Sequence, residues 1–198
     1  RRLQTECEVD GFKFDAGEPC FLPGRFKTHR PVTSPSEYTR LWVEEVASKF
    51  EVAEVRTGHK TQSAPLLTRM GDRFSTWDLG NGLRSLIPTL MTSSVLGYPF
   101  CLPDMVGGNA YFGNNPDEEL MVRWAQVNAL MPAIQFSIAP WDVGADALAL
   151  TRDCLSVRER IVPRMLALAN WSRIAYVSSS CGSSHQSGRQ GGACGRRA

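Results

Sequence analysis

The sequence predicts an α/β fold built on a parallel sheet. Three observations carry this. Short apolar runs alternate with segments of helical period, the runs are almost continuously apolar as in strands buried on both faces, and each is closed by a polar residue or a turn signal. Five strands emerge from this pattern. On these grounds alone, an open doubly wound sheet and part of a barrel both fit.

The elements follow in order. Gly11–Phe14 reads as a brief strand. Ser36–Phe50 reads as a helix with Ser36 as its N-cap, because Tyr38, Leu41, Trp42, Val46 and Phe50 fall near a period of 3.6. Val52–Val55 and Pro65–Met70 are the next strands. Trp77–Leu96 is long and mostly apolar, and reads as a helix broken or kinked at Pro88. Tyr98–Leu102 is a strand, and Asp117–Leu130 a helix with Pro116 at its start. Ala133–Phe136 is the fifth strand, followed by a helix over Asp146–Leu168 with a candidate kink at Pro163. From about Ser178 the chain is Ser, Gly, Arg, Gln and Cys with almost nothing apolar, a composition that cannot bury a core. Two regions are therefore expected: a folded part over residues 1–169 and a disordered tail over residues 170–198.

Composition narrows the function classes. Hydrophobic residues make up 42% and charged residues 21%, as in a soluble globular protein. The net charge of +2 comes without a Lys/Arg stripe interleaved with aromatics, so no nucleic-acid partner is expected. No G-x-G-x-x-G follows a strand and no P-loop occurs, which removes the main support for a nucleotide cofactor. The six cysteines include no C-x-x-C pair and no zinc-like spacing, so no metal and no cofactor are expected. Arg1–Asp10 is too polar for a signal peptide, and the most apolar stretch, Leu83–Val106, is interrupted by Pro88, Gly97, Pro99 and Pro103. The sequon Asn170-Trp171-Ser172 permits glycosylation in a secretory setting. The first residue is Arg and the chain opens on the approach to a strand, so a fragment of a longer protein is expected.

The chemistry lies in the strand ends. Asp15 follows Phe12-Lys13-Phe14, Arg56 follows Val55, Asp72 follows Met70-Gly71, and Asp104 follows Leu102-Pro103. In a parallel α/β protein these ends share one face, which hosts the active sites of barrel enzymes. Three carboxylates and a guanidinium should therefore converge. Two carboxylates flanking a glycosidic bond are the equipment of glycoside hydrolysis. The competing use of such acids is to cap the helices that follow.

Several segments resemble those of family 31 glycoside hydrolases. Lys13-Phe14-Asp15-Ala16-Gly17-Glu18 resembles the family's nucleophile segment, and Gly71-Asp72-Arg73 with Trp77 and Asp78 resembles its acid/base segment. Leu102-Pro103-Asp104-Met105-Val106-Gly107-Gly108-Asn109 resembles the Asp-Ile-Gly-Gly-Phe segment after the seventh strand. Arg56 stands 16 residues before Asp72, where the family keeps a substrate-binding arginine. The resemblance covers roughly Asp10 to Ala169. Departures from the pattern are Ala16 in place of Met, Arg69 in place of Trp, and Ser137-Ile138-Ala139-Pro140-Trp141 in place of Arg-Asn-His.

The resemblance implies the C-terminal portion, about strands 4–8, of a (β/α)8 TIM barrel. It implies a retaining α-glycosidase of a branch that acts on terminal α-galactosyl residues of oligosaccharides or glycoconjugates. It also implies an endoplasmic-reticulum or secretory setting, with membrane attachment only through an anchor upstream. A homo-oligomer is compatible with the sequence. Asp15 would be the nucleophile, kept ionised by Lys13 or Arg56. Asp72 would be the general acid/base, its pKa raised by another carboxylate. Arg56, Asp104, Trp77 and Arg69 would bind substrate, with Glu18, His59 and Trp141 as secondary candidates. The alternatives are a truncated, non-catalytic relative lacking the first barrel strands, and an α-glucosidase-type specificity.

Overall fold

The computed structural model describes residues 2–183, with side chains to residue 170. Four parallel strands, β1 (Gly11–Phe14), β2 (Val52–Val55), β3 (Leu67–Arg69) and β4 (Cys101–Leu102), form one sheet in the order β1-β2-β3-β4. That order decides between the two architectures left open by the sequence. A doubly wound sheet reverses its strand order at a switch point, whereas a barrel adds each new strand beside the last. Here there is no reversal, so the sheet is an arc of a barrel wall.

The fifth strand expected over Ala133–Phe136 is reduced to one parallel bridge, Val106 to Phe136, supported by Val106 N–H donating to Gln135 at 2.9 Å. It sits next in order beyond β4, where a barrel would put it. Pro99 and Pro103 bracket β4 and cannot donate to a ladder, which confines pairing to Cys101–Leu102 rather than Tyr98–Leu102.

Alternation along the strands sorts the residues into two faces. Phe12 and Phe14, Ala53 and Val55 point outward to the helical layer. There they meet Val43, Ala47 and Phe50 in one apolar cluster, with Phe12 and Phe50 rings 4.5 Å apart. The register pairs Lys13 with Glu54 and Glu54 with Leu67, so Lys13, Glu54, Leu67 and Arg69 point to the concave side. The second cluster joins Cys101 and Val106 to Leu86, Leu120, Met121, Trp124, Ala125 and Ala147, under α3 (Leu86–Val95), α4 (Glu118–Ala129) and α6 (Ala145–Ser183).

Helix ends are set by local chemistry. The helix expected from Ser36 is α2 (Pro35–Leu41), continued in wider and then tighter turns to Lys49. Its N-cap is Ser34 rather than Ser36, with Pro35 in the first turn, where an N–H is not needed. Asp117 caps α4 by accepting from Leu120 N–H at 2.8 Å. The opposite end of α4 is held by Arg158 of α6, which donates to the carbonyls of Asn128, Ala129, Met131 and Pro132 at 3.4, 3.2, 2.7 and 3.0 Å.

Three expectations need correction. The helix over Trp77–Leu96 begins only at Leu86, after a single turn at Leu83–Ser85. Asp78-Leu79-Gly80-Asn81-Gly82 is turn chemistry: Asp78 accepts from Asn81 N–H at 2.7 Å and from the Thr76 hydroxyl. Pro88 falls in the first turn of α3, so it breaks nothing. Finally, α1 (Arg2–Glu6), α5 (Pro140–Val143) and the turn at Tyr111–Gly113 were not expected. They are too short to show a period. Pro163 lies within α6. Of the disordered tail expected over residues 170–198, residues 170–183 instead continue α6 past the expected end at Leu168, and residues 184–198 lie outside the described residues.

Candidate active site

The site is built at the ends of the strands, with Asp15 and Arg56 one residue past β1 and β2 and Arg69 the last residue of β3, paired with Leu102. Asp15, Arg56 and Arg69 each follow directly on the paired Phe14, Val55 and Thr68, and so come level with one another on the concave face. Asp72 and Asp104 extend from the same ends. Arg69 is the hub. Its Nη2 meets Asp15 Oδ1 at 2.9 Å, and its Nη1 meets Asp72 Oδ1 at 3.1 Å and Asp104 Oδ1 at 3.2 Å. Its Nε lies 3.2 Å from Glu54 Oε1 below, a contact too poorly aligned for a hydrogen bond. Arg69 is almost wholly buried, at 4% exposure. Its pKa is nonetheless raised: burial acts against the charge, but the hydrogen bond to Asp72 and the charges of Asp104, Asp72 and Glu54 outweigh it.

Arg56 forms a second bridge. Its Nε donates to Glu18 Oε1 at 2.7 Å, and its guanidinium lies 5.7 Å from the Phe21 ring centre. Its Nη1 touches Asp15 Oδ1 at 3.3 Å and Asp72 Oδ1 at 3.8 Å, so these two oxygens lie no more than about 7 Å apart. This bound admits the separation of about 5–5.5 Å used by retaining glycosidases. The Asp15 side chain is 63% exposed and that of Asp72 37%, so both can be reached from the concave side.

Asp104 differs from both. It is fully buried at 0% exposure, and its Oδ2 accepts from Arg73 N–H at 2.6 Å and from the Asn109 amide. It anchors Arg69 rather than facing a ligand. Asp72 is clamped on both oxygens, Oδ1 by Arg69 and Oδ2 by the Tyr111 hydroxyl at 2.6 Å. This corrects the expectation of a raised Asp72 pKa. The value is lowered, first by the Tyr111 hydrogen bond and then by Arg69 and Arg56, against the opposing effect of burial. The same bond pushes the Tyr111 pKa up to about 12.

Other expected members sort cleanly. Lys13 turns to Glu54 at 3.7 Å rather than to Asp15. Trp77 sits in the loop before α3 and, among the described residues, makes no hydrogen bond, ion pair or ring contact with the site. Trp141 lines a separate cleft of about 420 Å³ with Phe136, Pro140 and Leu148. Glu18 joins through Arg56, while His59 makes no polar contact with these groups. Tyr111, Asn109 and Glu54 were missed. Glu54 carried a signal, an acid on the strand face opposite Ala53 and Val55. Tyr111 carried none, since a loop packs by tertiary contact.

Backbone freedom brings the first loop in close. Gly17 has φ +95°, and a Cβ there would overlap the Trp42 indole; Thr39 donates to the Gly17 carbonyl at 2.8 Å. The helix layer is thereby pressed against the loop that carries Asp15.

Fold and site together define a parallel α/β barrel segment with a convergent carboxylate–arginine cluster at its strand ends. Residues 1–168 match the model described as the glycosyl hydrolases family 31 TIM-barrel domain, and the chain belongs to that family. It is 46% identical over 178 residues to the myogenesis-regulating glycosidase of Mus musculus, covering 85% of this chain and 25% of the relative. It is 32% identical over 181 residues to the SITS-binding protein of Tetronarce californica, covering 88% and 25% respectively. Among solved structures, the cycloalternan-degrading enzyme of Trueperella pyogenes in complex with a covalent intermediate aligns with a TM-score of 0.69 at 25% identity, covering 86% of this chain and 26% of that one. The chain thus spans about a quarter of the length of these relatives.

Proposed function

We propose that this chain carries the catalytic carboxylates of a retaining α-glycosidase that hydrolyses terminal α-galactosyl residues. The observation that carries this reading is the pair Asp15 and Asp72, solvent-accessible past the ends of β1 and β3 on either side of β2 and bridged by Arg56 and Arg69. Asp15 attacks the anomeric carbon and the leaving oxygen takes a proton from Asp72. Water, deprotonated by Asp72, then releases the sugar from Asp15. Five carboxylates (Asp15, Glu18, Glu54, Asp72, Asp104) are ion-paired with three cations (Lys13, Arg56, Arg69). The excess negative charge suits an oxocarbenium-like transition state. Arg56 donates to sugar hydroxyls, while the buried Arg69 holds the carboxylates in place. In this reading the arc corresponds to about strands 4–8 of the full barrel, and the protein works in the secretory pathway on an oligosaccharide or glycoconjugate.

Two comparisons support the reading. The mouse relative is named a glycosidase, and the solved relative is described with a covalent intermediate, the species that a retaining mechanism forms. A second specificity also has support: the glucosidase 2 subunit alpha of Schizosaccharomyces pombe is 34% identical over 101 residues.

The test is labelling with galacto- and gluco-configured covalent inactivators of retaining glycosidases, mapped by mass spectrometry. Label on Asp15 from the galacto probe alone is expected. Label from the gluco probe alone would transfer the assignment to glucosides, and label on another residue would sink the nucleophile. Labelling of a longer protein containing this segment, but not of the 198-residue chain, would assign the chain the non-catalytic alternative.

A further inference from the structure

We infer that Tyr111 is a positioning residue that holds Asp72 in place and sets when it can give up or take a proton. The inference rests on the assignment of Asp72 as general acid/base.

The geometry is built rather than incidental. Tyr111 lies on a tight turn entered through Ala110, whose φ of +49° is unusual for a residue other than glycine, and followed by Phe112 at +60° and Gly113 at +78°. That backbone is stitched to the loop following Asp72 at five points. Asn109 donates to the Arg73 carbonyl from its backbone N–H at 3.0 Å and from its amide at 3.2 Å. Ala110 N–H donates to Ser75 Oγ at 3.0 Å, and the Asn114 amide donates to the Ser75 carbonyl at 3.3 Å. Gly108 passes so close to Ser75 that a Cβ would lie 2.7 Å from its nitrogen. The ring itself stands edge-on to Phe74 at 5.9 Å. Loops after β3 and β4 are thereby locked together, and the lock delivers one hydroxyl to one carboxylate oxygen, Asp72 Oδ2 at 2.6 Å.

The charged and titratable groups facing Asp72 are Arg69 from β3, Arg56 after β2, Asp15 after β1, Asp104 after β4 and Tyr111. Both arginines reach Oδ1. Among the described residues, Tyr111 alone hydrogen-bonds Oδ2, so it orients the oxygen left to meet a leaving group. Its hydroxyl donates to the ionised carboxylate; once Oδ2 carries the proton, that proton points to the leaving oxygen and the hydroxyl keeps a weaker bond to the remaining lone pair. Because the bond is stronger to the ionised form, it favours release of the proton and holds the carboxylate in one place through both half-reactions. Phenylalanine keeps the ring and removes only this group.

The test uses the full-length protein and its Tyr111→Phe and Asp72→Ala variants. Rates are read against pH for phenyl α-galactoside, whose leaving group needs a proton, and for α-galactosyl fluoride, whose leaving group does not. With phenyl α-galactoside, the basic limb of kcat/KM reports the acid of the free enzyme. In Tyr111→Phe this limb should move up by about one pH unit, the size expected for a lost hydrogen bond to a charged group, while the fluoride profile stays in place. Damage to the fold would lower both rates and move neither limb. An unmoved or lowered basic limb, in an enzyme whose Asp72→Ala variant is rescued on the fluoride by azide, overturns the role of Tyr111 and leaves Asp72 as acid/base. Absence of azide rescue in Asp72→Ala sinks the acid/base assignment itself, and this inference with it.

Discussion

Arg69 ties Asp15, Asp72 and Asp104 to one buried guanidinium, and its loss would strand a carboxylate with no access to water. Arg69→Met should therefore destabilise the fold by about 3–5 kcal/mol, read from the denaturant midpoint. Arg69→Lys should recover only part of this, because an ammonium cannot fork between three acids. The pH dependence follows from the lowered pKa of Asp72. Its contribution to stability is present above the ordinary value of 3.8 and is lost as the pH falls through the depressed one. Asp72→Asn should thus lower stability at neutral pH and make little difference in strong acid, as an acid-unfolding series would show. The same variant should free Tyr111 to titrate below about 12, followed by its ultraviolet absorbance. Asp15, Arg56, Asp72 and Asp104 were legible because strand ends are readable from apolar runs. The centrality of Arg69 was not, because its reach across three strands exists only once they are paired.

At the scale of elements, strands were read well where one apolar face met a helix. Gly11–Phe14 and Val52–Val55 agree with the reading residue for residue. Helices were misjudged where composition imitated period, as over Trp77–Gly82, where Gly and Asp at close intervals outweigh the apolar content. Two substitutions test the joints between elements. Gly17→Ala should cost about 2 kcal/mol or more in thermal unfolding, since it combines a left-handed backbone with an overlap on Trp42. Arg158→Ala should cost about 2 kcal/mol, by removing the donor to the carbonyls of Ala129, Met131 and Pro132 at and just past the end of α4.

For the whole molecule, the sheet has two strands paired on both sides, β2 and β3, and a fifth position held by one bridge. Amide exchange should be slowest in β2 and β3 and fast at Ile134–Phe136, measured by deuterium uptake. Equal protection across all five positions would contradict the single-bridge edge. The in-order arrangement of strands has a further consequence for how the chain comes together. Each βα unit meets chiefly the unit made just before it, so the strand pairings join residues only 13 to 41 positions apart. Ordering can then proceed from the N-terminal end as the polypeptide is synthesised, each strand finding a template already waiting. The arginine hub closes last, because its partner Asp104 is the final acid of the cluster to leave the ribosome.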